Sequence, residues 1–304
     1  MHPKAEECSE KIIGAHSIQN NKIIKRLSSN GIVYMPCPKS DNPFAPMTVY
    51  GRKEATVFTG FCGYHDKTVF QPIEDGTFDK GSIQHIFLYT YRCFAIEYHK
   101  KQEVINMEKG MFKIKPSLVN MSEEENPYRG INMAVDDFHR VKEIFDGALQ
   151  TENYNVLSSM VWEFNQTVKF AGTGFEAMTH DLEGNMIQDL MNPNINAKHI
   201  FVMVFPEEDK TYCIIAWLKE NDGLFNSYKQ QLLSLSEEKR KIYINNLLPM
   251  ISENIVVNPD SWDNWDEYKR NEFGVIELGI ATLFEAEGKY WDRLEPPVYD
   301  LFDM

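Results

Sequence analysis

The amino-acid sequence predicts an α+β fold, in which a small zinc-bound module with a long helix precedes an antiparallel sheet with helices on one side. The long helix is indicated by helical periodicity over residues 82–108, which begins at a serine suited to an N-cap. The sheet is indicated by two strand-like apolar segments, 199–205 and 211–218, which flank a polar hairpin loop. The zinc ion is indicated by Cys62 and His65, which come directly after a predicted strand.

In the first part of the chain the other predicted elements are short. Residues 20–29 predict a helix that ends at Asn30-Gly31, and residues 32–35 predict a strand. The segment 36–47 contains four prolines, so we expect a loop there. Residues 55–61 have the composition of a strand that leads into the Cys/His pair.

The second part of the chain alternates between strand-like and helix-like patterns. Helices are expected at 135–149, 224–251 and 271–287, a strand at 160–170, and turns at 172–174 and 180–185. The last residues, 296–304, form an acidic and aromatic tail that either packs on the protein or serves as a docking segment.

Composition excludes several classes of protein. The 304 residues are 43% hydrophobic and 12% aromatic, which is enough to build a core and argues against a disordered chain. The five cysteines are too few and too scattered for a disulfide scaffold, so they fit a reducing cytoplasm. We expect neither a membrane span, because no apolar run is long enough, nor a signal peptide, because the N-terminus is polar.

The formal net charge of −14 is divided unevenly along the chain. Residues 1–115 carry a net +4, and residues 116–304 carry −18. We therefore predict a zinc-bound module with its helix at 1–115, a linker at 116–130 and an acidic α+β domain at 131–304. The charge leaves DNA as a partner for the first unit only, and it favours a protein partner or self-association for the acidic domain.

The metal-site prediction depends on cysteine and histidine side chains in the first 65 residues. Cys62 and His65 are separated by two residues, which allows both side chains to reach one ion, and Cys8 is a third donor. Zinc needs about four such donors, and the fourth could be His2, His16 or Cys37. The alternative is that Cys62 packs in the core while His65 lies on the surface.

These residues resemble a known family. The pattern Cys8, Ala15-His16-Ser-Ile18 and Phe61-Cys62-Gly-Tyr-His65-Asp66 resembles a divergent zinc-bound HNH endonuclease (ββα-metal) module over about residues 2–75. The resemblance implies that His16 is the general base that activates water on a DNA phosphodiester and that Asp66 holds a catalytic Mg²⁺ or Mn²⁺ ion. It also implies structural zinc on Cys8, Cys62 and His65.

The resemblance further implies a bacterial protein of anti-phage or mobile-element defence, but the pattern departs from the family. Ala15 stands where many members have a metal ligand, and Phe70 stands near the expected position of the last histidine. The first cysteine pair is incomplete, because only His2 lies upstream of Cys8. The alternative function is therefore a non-catalytic zinc protein that senses a signal or assembles with a protein partner.

The predicted long helix carries His85, Arg92 and His99 at intervals of seven, which places them on one face. One interpretation is a basic stripe that binds phosphate. The other is a structural ion pair between Arg92 and Glu74 or Glu97, with the histidines in solvent.

Overall fold

The computed structural model describes residues 1–36, 46–114, 129–190, 192, 194–279 and 290–304. Helices pack on an antiparallel sheet in these ranges, which confirms the predicted α+β fold class. Four predicted features lie partly or wholly outside the described residues: Cys37, most of the loop at 36–47, nearly all of the linker at 116–130, and the second half of the helix at 271–287.

Over the described ranges, nine strands form two antiparallel sheets. A two-stranded sheet pairs β1 with β4, and a seven-stranded sheet has the order β3-β2-β9-β6-β7-β8-β5. The strands are β1 (Ile12–His16), β2 (Ile32–Met35), β3 (Thr48–Gly51), β4 (Val57–Cys62), β5 (Leu157–Phe164), β6 (Phe170–Glu176), β7 (Ile200–Glu207), β8 (Lys210–Leu218) and β9 (Ile255–Val257).

Most helices of the described residues overlap the predicted positions, but the stretch expected at 224–251 is divided into two helices and the helix at Pro259–Asp263 was not predicted. A π-helical turn at Asn20–Ile24 continues into a short helix, as expected for that segment. The α-helices are α1 (Lys25–Leu27), α2 (Gly63–Asp75), α3 (Ile83–Ile114), α4 (Arg129–Thr151), α5 (Asp222–Ser234), α6 (Glu237–Ile251), α7 (Pro259–Asp263) and α8 (Glu267–Glu277).

The central hairpin and the long helix confirm the predictions for those segments. β7 and β8 pair from Ile200 opposite Trp217 to Glu207 opposite Lys210, which leaves a two-residue turn. Helix α3 begins at its predicted cap, because the Ser82 side chain accepts a hydrogen bond from the His85 backbone at 3.2 Å.

Helices cover both faces of the large sheet, whereas the sequence predicted helices on one side. Phe201 and Met203 of β7 pack in the cluster that contains α3 and α4. Val202 and Val204, which alternate with them, pack in the cluster that contains α5, α6 and α8. A strand buried on both faces reads as a continuous apolar run, and the run at 199–205 has that form.

The predicted turn at 172–174 is wrong, because these residues lie inside β6. A side chain at Gly172 would meet the Leu248 side chain at 2.9 Å, and one at Gly174 would meet the Ile251 carbonyl at 2.7 Å. The glycines therefore allow α6 to approach the sheet closely, which is the other common role of glycine in a strand.

Both sides of the predicted linker contribute to the large sheet. β2, from the first part of the chain, pairs with β9 through Tyr34 and Val257. The C-terminal tail packs on the protein, since Tyr299 and Leu301 are buried and the Tyr299 hydroxyl donates to the Asn245 carbonyl at 2.8 Å. The division into two domains stays a prediction.

Among the described helices, none combines the length and the apolar composition that crossing a bilayer would require.

Candidate metal centre

Cys62 and His65 lie one helical turn apart, where strand β4 passes into helix α2. The Cys62 Sγ accepts a hydrogen bond from the His65 backbone N–H at 3.5 Å, so this cysteine is the N-cap of α2. The neighbouring strand β1 places Ile12 opposite Cys62. The unpaired N–H groups and the dipole at a helix N-terminus stabilise a thiolate there. The predicted Cys/His pair therefore lies at a strand-to-helix junction.

Cys8 reaches the same point from the N-terminal segment. It follows a short 3₁₀ turn at Ala5–Glu7, and its backbone N–H donates to the Ala5 carbonyl at 3.1 Å. The Cys8 Sγ lies 3.5 Å from the His65 Nδ1, and the Cys62 Sγ lies 3.3 Å from the same nitrogen. All three donor atoms lie within 4.8 Å of one another.

These distances suit a tetrahedral zinc ion. With Zn–S bonds of about 2.3 Å and Zn–N bonds of about 2.0–2.1 Å, a tetrahedron has sulfur-to-nitrogen edges of about 3.5 Å. The two observed sulfur-to-nitrogen distances of 3.5 and 3.3 Å are close to that length. A group formed by Cys8, Cys62 and His65 could therefore hold a metal ion with little rearrangement.

The protonation states also suit metal binding. The His65 backbone N–H lowers the pKa of Cys62, and the Cys8 thiol that donates to it acts in the same direction. Desolvation, followed by the hydrogen bond to Cys62, raises the pKa of Cys8, so Cys62 is the more acidic thiol of the metal-free pair. Burial lowers the pKa of His65, which favours the neutral ring that can ligate a metal.

Glu7 faces the second nitrogen of the His65 ring. His65 is 2% exposed, and its Nε2 has no hydrogen bond to any described residue. The Glu7 Oε2 lies 3.9 Å from that nitrogen. Metal-binding histidines usually donate their other ring N–H to a carboxylate or a carbonyl, which fixes the tautomer. Glu7 lies beyond hydrogen-bond distance, and a shift of about 1 Å would let it hold Nδ1 of His65 toward the sulfurs. Sequence reasoning missed this residue.

Of the two predicted fourth ligands that the structure describes, His2 and His16, His2 is the nearer to the site. Its ring stacks on the His65 ring with centroids 3.9 Å apart and planes at 18°. Burial, followed by the proximity of His65, lowers the pKa of His2 to about 4, so the ring is neutral at physiological pH. Its Nδ1 accepts a hydrogen bond from the Lys4 backbone at 3.3 Å, which leaves Nε2 as the free donor atom.

His16 lies at the opposite end of β1 from the cysteines. Cys62 faces Ile12, and His16 is four residues further along the strand, a separation of about 13 Å. The His16 Nδ1 lies 2.9 Å from the Ala55 carbonyl. Because a carbonyl only accepts, that nitrogen carries the ring proton and Nε2 has the free lone pair. His16 is thus not a fourth ligand.

Asp66 lies in the first turn of α2, and burial raises its pKa. After burial, the charges of Arg92 and Glu74 also act on the pKa of both Asp66 and His16. Within the part of the chain that the structure describes, however, no group of three or more metal-type side chains includes Asp66. The residues thus show no preformed site for a catalytic ion.

The three basic residues predicted on α3 have separate environments. Arg92 is 4% exposed, donates to the Glu74 carboxylate at 2.7 Å and stacks over the Phe70 ring at 4.1 Å. His85 accepts from the Asp79 backbone at 3.1 Å. His99 lies 3.0 Å from the Thr59 hydroxyl. A buried guanidinium that already binds a carboxylate is not available to phosphate, so these residues do not form one open basic stripe.

No family model, no curated protein and no solved structure matches the chain. The functional argument therefore depends on the geometry of the side chains.

Proposed function

We propose that this protein binds one zinc ion through Cys8, Cys62 and His65, and that the ion fastens the N-terminal segment to β4 and α2. The single observation that carries the proposal is the convergence of two sulfurs and one imidazole nitrogen at 3.3 and 3.5 Å. Donors of this type select zinc over Mg²⁺ or Ca²⁺, which prefer oxygen. The described cysteines are free thiols, which supports a reducing compartment such as the cytoplasm.

We assign the fourth position to His2, because its ring is neutral and lies against His65. The His2 ring would have to turn to bring Nε2 to the ion, since the atoms that already converge are those of Cys8, Cys62 and His65. Four protein ligands make a closed site, and closed sites are structural. This assignment favours the non-catalytic alternative, in which the zinc ion shapes a protein that assembles with a partner.

The test is metal analysis of protein purified without added metal. We expect about one equivalent of zinc per chain, with near-complete loss in Cys62→Ser. Cys213→Ser is the matched control, because Cys213 is a fully buried core thiol far along the chain, and it should keep its zinc. Stoichiometric zinc in Cys62→Ser, or none in the wild type, would contradict the proposal.

A second candidate function is phosphodiester hydrolysis, and the geometry of His16 is the observation that favours it. The Ala55 carbonyl fixes the tautomer, and burial lowers the pKa of His16, so Nε2 is free to take a proton from water. β1 pairs with β4, and β4 leads into α2, as a ββα-metal module would require, although β2 and β3 lie between β1 and β4 in the chain. Asp66 would hold the Mg²⁺ or Mn²⁺ ion, which would act as a Lewis acid.

This second function predicts DNA cleavage that depends on His16. With Mg²⁺ or Mn²⁺ present, His16→Ala should reduce cleavage of plasmid DNA by about 10²- to 10⁴-fold, the usual contribution of a general base. The His16→Ala protein should retain its zinc, since His16 lies at the far end of β1 from the cysteines.

The control for the cleavage assay is His85→Ala, which removes a histidine from the surface of α3. Equal rates in wild type, His16→Ala and His85→Ala would reject His16 as a base. Absence of cleavage in all three proteins would reject the nuclease function and support the non-catalytic zinc protein.

A further inference from the structure

A cleft of about 920 Å³ lies at the junction of several elements. It is bounded by the C-terminal half of α3, by β4, by the end of β6, and by the segment that joins α6 to β9. Its volume is near the upper end of the range of about 300–1,000 Å³ that is typical of ligand sites. None of the three zinc donors lines it, so an inference about the cleft is independent of the metal site.

The walls of the cleft include apolar side chains from three elements. Phe58 comes from β4, Ile96 and Met107 come from α3, and Ile251 comes from the end of α6. Met107 is 57% exposed. An exposed methionine beside a groove is common on surfaces that bind varied apolar side chains.

The charged side chains of the cleft are mainly acidic. The described lining residues include six glutamates and only two lysines, a formal charge of −4 when His99 is neutral. A cleft lined by one sign of charge concentrates its field and attracts ligands of the opposite sign. The glutamates are Glu54, Glu97, Glu103, Glu176, Glu253 and Glu277.

The two lysines neutralise only part of this charge. Lys100 is already shared between Glu97 at 3.3 Å and Glu253 at 3.5 Å. Among the described residues no cation pairs with Glu277, and burial together with the nearby Glu253 raises the pKa of Glu277 to about 7. A positive group placed between Glu253 and Glu277 would therefore stabilise both carboxylates.

We infer that the cleft binds a basic, amphipathic segment of a partner protein. Leucine-like side chains would pack on Phe58, Ile96 and Met107, and a lysine or arginine would lie between Glu253 and Glu277. Charge complementarity selects this occupant, because the same carboxylates repel the phosphates of nucleic acid and the acidic surface of a second copy of this chain.

The probe is a short acetylated and amidated peptide in which lysine and leucine alternate, titrated by calorimetry into the full chain. We expect Glu253→Gln/Glu277→Gln to weaken binding about tenfold, because the double variant removes one half-buried carboxylate, Glu277, and one exposed carboxylate, Glu253. Met107→Ser should also weaken binding, because Met107 supplies part of the apolar wall. The matched peptide of alternating glutamate and leucine should not bind.

The control variant is Glu238→Gln/Glu267→Gln, which removes two exposed glutamates from the N-terminal ends of α6 and α8. The glutamates of the cleft variant lie at or just beyond the C-terminal ends of these helices. The control variant carries the same net charge as the cleft variant, so general attraction to an acidic protein would weaken equally in both. Equal weakening, no binding to the wild type, or binding of the acidic peptide would each overturn the inference.

Discussion

Removing zinc from the loaded protein is expected to lower the free energy of unfolding by about 4 kcal/mol, when the loaded state is measured with free zinc a thousandfold above its Kd. The reason is the position of the N-terminal segment. Residues from Ala5 to Ile12 are exposed and bury little apolar surface. The ion would therefore supply most of the free energy that holds Cys8 on β4 and α2.

Thermal unfolding with zinc and with a chelator measures this effect. Cys62→Ala should unfold at the same temperature under both conditions, while Cys213→Ala should retain the difference seen in the wild type. Hydrogen exchange provides a second measurement, since the amides of β1 should lose protection on chelation. A wild-type protein whose unfolding temperature does not depend on zinc would rule out a structural ion.

Acid is expected to destabilise the protein through His199, with the loss beginning near pH 6.5, above the pKa of an ordinary carboxylate. His199 is 7% exposed and stacks on Phe138, with ring centroids 5.2 Å apart. Burial, and then the charges of Lys101 and Lys198, lower the pKa of His199 to about 3. Its Nδ1 has no hydrogen bond to any described residue, so nothing there stabilises a protonated ring.

The direction in which stability changes with pH follows from the order of the folded and unfolded pKa values of His199. The unfolded chain protonates His199 near pH 6.5, while the folded chain resists protonation until pH falls to about 3. The unfolded state therefore binds more protons between these values, and stability falls as pH decreases through this window. The full separation corresponds to about 4–5 kcal/mol, at 1.36 kcal/mol per pH unit.

Chemical denaturation at a series of pH values from 7 to 4 measures this loss. His199→Phe keeps a ring on Phe138 but cannot be protonated, so its unfolding free energy should fall less steeply with acid than that of the wild type. His180→Phe is the control, because His180 is only partly buried, and it should keep the wild-type dependence. Parallel curves for wild type and His199→Phe would contradict the assignment.

Local patterns in the sequence predicted the elements with strong periodicity. The β7–β8 hairpin and α3 were predictable because their alternation and caps depend on neighbouring residues. The association of Cys8 with Cys62 and His65 was also predictable, because only a few types of side chain bind zinc and few of them occur in this part of the chain.

Features that depend on distant pairing were not predictable. The register of β1 against β4 separates His16 from Cys62, and no local pattern encodes that register. Gly172 and Gly174 look like a turn until α6 is known to pack on them. Glu7 and the acidic cleft share this property, since each is defined by residues far apart in the chain.

The pairing of β2 with β9 has a consequence for the protein during its synthesis. The ribosome completes β2 and β3 about 200 residues before the strand that lies beside β2, which spans Ile255–Val257. At about 5–20 residues per second, the interval between β3 and β9 lasts roughly 10 to 40 s. During that time one edge of β2 has no neighbour, so the nascent chain presents a strand that chaperones can bind and other chains can join.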